Sequence, residues 1–172
     1  MKKLKPALFT TLFLLLIFSS CEPKKTPVDY YNSAVGRYNL SSSFFLRMQQ
    51  AINDRELGEY TDYDLENSLE SPALFAEAEV KKLEKLKGNE ASDNLIQAAI
   101  ESAQYDYELA TSKELKAIFK IIDDSATIEA LQENLEPHTD YLDTILAKHD
   151  IIFENLDAEI IKYADANNIK VE

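Results

Sequence analysis

From residue 26 onward the apolar side chains recur at alternating spacings of three and four, in four successive runs. That period is the signature of amphipathic helices packed nearly parallel to their neighbours. The first run is Tyr31, Ala34, Tyr38, Ser41, Phe45, Met48 and Ile52. Thr26 stands as its N-cap, Pro27 at its first helical position and Asp29 in its first turn, and it ends near Glu56 with Gly58 behind. The second starts at Thr61, with Asp64 three residues on, and continues through Leu65, Leu69, Ala73, Ala76, Val80 and Leu83. Lys81, Lys82, Lys85 and Lys87 load its last turns, where the helix dipole favours cations, and Gly88 ends it. Pro72 lies inside this run without shifting its phase, which predicts a kink, with a helix boundary as the second choice.

A third helix is expected from about Ser92 to Ile122, with Ile96, Ile100, Ala103, Tyr107, Leu115, Ile118 and Ile122 inward. Asp123-Asp124-Ser125 makes the next turn. The fourth run is the longest: Ile128, Leu131, Leu135, His138, Leu142, Ile145, His149, Ile152, Leu156, Ile160 and Tyr163. It passes through Pro137 in phase, again predicting a kink, and fades at Asn167-Asn168. Four long amphipathic helices with short connections predict an all-α fold, a four-helix up-down-up-down bundle with kinked helices 2 and 4. Gly36, inside the first helix, weakens it and is a candidate site of close helix approach. At ~1.5 Å per residue the third and fourth helices outrun the first two. The overhanging tip carries Phe119, Ile122, Ile128, Leu131 and Leu135, rimmed by Asp123, Asp124 and Glu129. These five are a candidate partner-binding patch, with packing against each other across the hairpin as the equal alternative.

Residues 1–20 follow a different pattern. Lys2, Lys3 and Lys5 precede an uninterrupted apolar or small run from Ala7 to Phe18, and Ser19-Ser20 precede Cys21, the chain's single cysteine. The run is too short to span a hydrocarbon core of ~30 Å, so a removed signal peptide is expected. Ser19-Ser20-Cys21 resembles the lipobox of bacterial lipoproteins, which implies lipidation of Cys21; Phe18 stands where that motif usually has Leu. The expected organisation is a signal peptide over 1–20, a lipidated cysteine and tether over 21–27, and a helical domain over 28–172. Lys24 and Lys25 lie beside the anchor, either against anionic head groups or as solvated linker residues.

The formal charge is −13, from eighteen basic and thirty-one acidic residues. Removing the three signal lysines leaves fifteen basic residues, a balance of −16, which argues against nucleic acid as a partner. With the one cysteine committed to lipid, no intrachain disulfide stabilises the domain.

Asp29-Tyr30-Tyr31-Asn32 after the tether, and Tyr163-Ala164-Asp165-Ala166-Asn167-Asn168-Ile169 at the end, resemble small bacterial surface lipoproteins with an all-helical domain. The resemblance implies an envelope or surface location, at the outer membrane or cell surface, and supplies no catalytic residues. The chain's own chemistry agrees. Beyond Cys21 it has two histidines, no H-E-x-x-H, no E-x-x-H, no glycine-rich phosphate loop and no G-x-S-x-G. Asp62, Asp64 and Glu66 imitate an EF-hand, but Asn67 and Ala73 stand where glycine and glutamate are required. The expectation is a non-enzymatic interaction or structural module without metal or cofactor, anchored to the bilayer and paired with an envelope protein. A rival is an envelope inhibitor whose acidic face neutralises a basic partner. The other rival is a haem carrier of the four-helix type, with Met48 and His149 as axial ligands. Of nine tyrosines, Tyr31, Tyr38, Tyr107 and Tyr163 are expected inward, and Tyr30, Tyr60, Tyr63, Tyr105 and Tyr141 form no evident patch.

Overall fold

Among the residues that the computed structural model describes, 24–56, 69–125 and 127–170, regular structure is entirely helical. Side chains are described for all of these except 42–48, 51, 52, 55 and 56. In chain order the elements are α1 (Pro27–Glu56), α2 (Glu70–Glu84), α3 (Asp93–Thr111), α4 (Lys113–Asp124) and α5 (Ile128–Leu135). A 3-10 turn at Glu136–His138 then leads into α6 (Thr139–Ala166).

Thr26 and Asp29 close the start of α1 reciprocally. The Thr26 N–H and hydroxyl both donate to the Asp29 carboxylate, at 2.7 and 2.8 Å, and the Asp29 N–H returns to Thr26 Oγ1 at 3.3 Å. Thr26's donors, its backbone N–H first, hold the Asp29 carboxyl below its ordinary pKa. This is the capping-box arrangement with aspartate as the acceptor. At the far end of α2, Gly88 takes φ +96°, a left-handed conformation in which a Cβ is strained. Asn168 (φ 54°) plays the same part after α6, where the Ile169 N–H reaches back to the Ala164 carbonyl at 2.9 Å.

Two expected helices are divided. Ser112 is extended (φ −64°, ψ 129°) and its Oγ accepts the Leu115 N–H, so it caps α4 instead of continuing α3. A serine hydroxyl that takes a backbone donor competes with the helical ladder, and here it wins. The fourth run is interrupted by the 3-10 turn containing Pro137, whose missing N–H cannot extend the α-helical ladder of α5. Pro72 falls in the first turn of α2, where backbone N–H groups have no helical acceptor anyway. Thr61 to Ser68, the expected start of that helix, lies outside the described residues.

α3 is the element on which the others are assembled: it packs against α1, α2 and α6, and eleven of its nineteen residues are buried. Alanines at 98, 99, 103 and 110 let neighbours approach from several sides. Tyr30 and Ala34 of α1 meet Leu83 of α2, Ile96 and Ala99 of α3, and Leu156, Ile160 and Tyr163 of α6 in one apolar cluster. A second cluster joins Leu69, Tyr105, Leu109, Leu115, Ile118, Phe119, Ile122, Leu131 and Ile145. These groupings place the starts of α1 and α3 beside the ends of α2 and α6. α1 and α3 therefore run in one direction, with α2 and α6 in the other.

The apolar tip expected at the distal end is not an open patch. Phe119, Ile122 and Leu131 are 3%, 0% and 2% exposed, because α4 turns at Ser112 and lies across the ends of α2, α3 and α6 rather than extending past them. Leu135 is half-buried against the same cluster, and Ile128 alone of the five is exposed. Gly36 is also not a point of close approach: a Cβ there meets nothing within 4 Å.

Two substitutions separate these readings. Gly36→Ala, on an open helical surface, is expected to raise stability by ~1 kcal/mol in urea denaturation. Leu131→Asp puts a carboxylate into the distal cluster and is expected to cost at least ~3 kcal/mol. An unchanged melting temperature for that variant would contradict the burial described above.

Candidate functional site

Between the two apolar clusters lies a polar layer. Arg37 on α1 and Asp106 on α3 are 2% and 5% exposed, and they form an ion pair through Arg37 Nη2 and Asp106 Oδ2. Arg37 Nε donates to Ser102 Oγ at 3.3 Å, and Nη2 also donates to the Ser102 carbonyl at 3.4 Å. Ser41 Oγ donates to the other carboxylate oxygen of Asp106 at 3.3 Å. His149 of α6, also buried, completes the layer from the third side, with Nδ1 3.3 Å from Asp150 Oδ1. Its ring packs on Phe153 at 5.2 Å between centroids, and Phe153 stacks on Tyr38 at 4.0 Å.

Burial drives the Asp106 carboxyl above its ordinary pKa, and the nearby Arg37 guanidinium, the Ser41 hydroxyl and His149 pull it back only in part. Desolvation outweighs attraction here, the usual balance for an ion pair taken out of water. The layer therefore adds little net stability over an apolar one, but it fixes the register of α1 on α3. Sliding α1 by one residue would strand both charges.

Sequence periodicity places this layer one position away. It puts Tyr38 inward, and Tyr38 is half-buried against the first cluster, but it passes over Arg37, which is buried between Ala34 and Ser41. It also puts Tyr107 inward, where Tyr107 is exposed on α3 beside buried Asp106. The signal was present in the spacing. Arg37 sits three after Ala34 and four before Ser41, and Asp106 sits three after Ala103 and four before Ala110. A count of apolar residues alone passes over both charges.

A shallow notch of about 270 Å³ lies where α3 ends and α6 begins, lined in part by Tyr105, Glu108, Tyr141 and Lys148. Tyr105 and Tyr141, apart in the sequence reading, meet here. The Tyr105 hydroxyl donates to the Ile145 carbonyl at 2.6 Å, and Tyr141 shares a hydrogen bond with Ser112 Oγ at 2.7 Å. Burial, ahead of its charged neighbours, raises the Tyr105 phenol pKa. Lys148 lies 4.6 Å from the Tyr105 ring centre and pairs with Glu108 at 3.2 Å. These polar groups are occupied by each other, which leaves the notch little to offer a ligand.

Of the other residues singled out, Cys21 lies outside the described residues, as do the side chain of Met48 and the EF-hand-like Asp62, Asp64 and Glu66. His149 is buried, with Phe153 stacked on one face of its ring. Among the described residues no three His, Cys, Asp or Glu side chains gather as a metal site, and no helix is long and apolar enough to cross a membrane. The chain matches no family model, no curated protein and no solved structure.

The charged layer makes a sharp expectation. Arg37→Met leaves a buried carboxylate without its cation and is expected to cost ~3–5 kcal/mol at neutral pH. Adding Asp106→Leu should recover most of that loss. Because the folded pKa of Asp106 is raised, the stability it contributes is full below the ordinary value of 3.8 and is lost as pH rises through the folded value. The Arg37→Met defect should therefore shrink on acidification, as read from denaturation midpoints across pH.

Proposed function

We propose that this protein is a membrane-anchored envelope lipoprotein acting as a non-enzymatic interaction or structural module, held at the outer membrane or cell surface by lipid on Cys21. The observation that carries the reading is the start of the sequence: three lysines, an apolar run from Ala7 to Phe18, then Ser19-Ser20-Cys21. A run of this length fits an export signal and not a permanent span. The start of α1 at Pro27 supports it, since a self-capped helix follows Cys21 with only a short tether between. In this reading the helices form a four-helix up-down-up-down bundle, its second and fourth members bent at Pro72 and Pro137, and its partner is a protein of the envelope.

The non-enzymatic part rests on what the buried layer does. Arg37, Asp106, Ser41 and Ser102 satisfy one another inside the core. A catalytic acid or base needs a reacting group within hydrogen-bond reach.

Cys21→Ala is expected to move the protein from the membrane fraction to the soluble fraction, read by fractionation and immunoblot. Incorporation of a labelled fatty acid into the parent protein should disappear in the same variant. Membrane retention of Cys21→Ala would remove the proposal.

A further inference from the structure

The helix directions put six lysines at one end of an acidic molecule. Lys24 and Lys25 precede α1, Lys85 and Lys87 follow α2, and Lys162 and Lys170 stand at the end of α6, all exposed. Six carboxylates share this end: Asp29, Glu84, Glu90, Asp93, Asp165 and Glu159, the last paired with Lys162 at 2.8 Å. Two of these are engaged with backbone, Asp29 with the Thr26 N–H and Asp93 with the Gly88 N–H at 3.0 Å. Counted over the described residues this end is neutral, with Glu22 and Glu172 beyond them in the sequence. The opposite end is not: residues 108–148 carry nine carboxylates against four lysines. The end where α1 begins is therefore the less negative of the two.

We infer that the end bearing Lys24, Lys25, Lys85, Lys87, Lys162 and Lys170 rests on the anionic lipid head groups of the bilayer, with the acidic α4–α5 end directed away from it. The inference rests on the lipid-anchor reading above. Five residues from Cys21 to Thr26 reach at most about 17 Å, so the base of α1 stays near the lipid surface. Charges act over about 8 Å at physiological ionic strength, so the tether's slack allows the lysines to enter the range where head groups attract them. Turning the molecule over would bring the acidic end against like charge. The difference between the two ends, with the exposed lysines gathered on one, selects the orientation.

Lysine acetylation footprinting on the lipidated full-length mature protein tests this, after reconstitution into phosphatidylcholine vesicles with or without anionic phosphatidylglycerol. On anionic vesicles, reactivity at Lys24, Lys25, Lys85, Lys87 and Lys170 should fall about fivefold, since each lysine near such a surface is held by about that factor; Lys162 is set aside because Glu159 already pairs with it. Lys116 and Lys120 should stay as reactive as in detergent. The protection should fade with added salt, and Lys85→Glu with Lys87→Glu should abolish it at Lys24 and Lys25 while the chain stays vesicle-bound. Equal protection on neutral vesicles, or equal protection of Lys116 and Lys120, would overturn the orientation while leaving the anchor intact. A chain that remains in the supernatant with both vesicle types would overturn the anchor and this inference with it.

Discussion

A helix that is apolar or small around most of its circumference has to be surrounded, and α3 is that helix. Its buried face includes Leu95, Ile96, Ala99, Ile100, Ala103, Tyr105 and Leu109, which no single neighbour can cover. Burial of such surface stabilises by roughly 25 cal/mol per Å², so α1, α2 and α6 are drawn onto it from different sides. The rest of the architecture follows. α1 runs alongside α3, α2 and α6 run against it, and the short α4 closes the far end where α3 stops. The alanines of α3 matter as much as its larger side chains, because close approach of three neighbours needs small residues somewhere on the central surface.

Much of this was legible in the chain. The start of α1 at Thr26-Pro27, the turn after Asp124 and the stop at Asn167-Asn168 all stand where caps and breakers placed them. The inward stripe of α6, from Ile145 through His149, Leu156 and Ile160 to Tyr163, was readable from spacing alone. What failed has physical causes. Ser112 looked like one polar residue on a long helix, yet its hydroxyl captures the Leu115 N–H and redirects the chain. That one turn decides between the two expectations for the tip: a straight third helix carries Phe119 and Ile122 beyond their neighbours, whereas here they are packed in the distal cluster.

The central layer was missed for a different reason. Hydrophobic periodicity assumes that the residue facing the core is the apolar one, and at 37/38 and 106/107 it chooses tyrosine over a charge. Tyrosine can lie half-out, keeping its hydroxyl wet, as Tyr38 does against Phe153. Arginine and aspartate can lie inside only when each supplies what the other lacks. The pair was therefore visible only jointly, across a sequence separation of 69 residues that single-helix patterns do not span.

A core divided by a charged layer does not behave as one continuous apolar mass. Among the described side chains, Tyr30, Ala34, Leu83 and Tyr163 on one side share no buried apolar contact group with Leu115, Phe119, Ile122 and Leu131 on the other. Amide exchange in such a molecule is expected to proceed partly through units that open separately, each with its own free energy. The half containing α4 and α5 is built from short helices joined by turns and is expected to open before the half where α1 begins and α6 ends. A pull applied where α1 begins is thus borne by the more durable of the two halves.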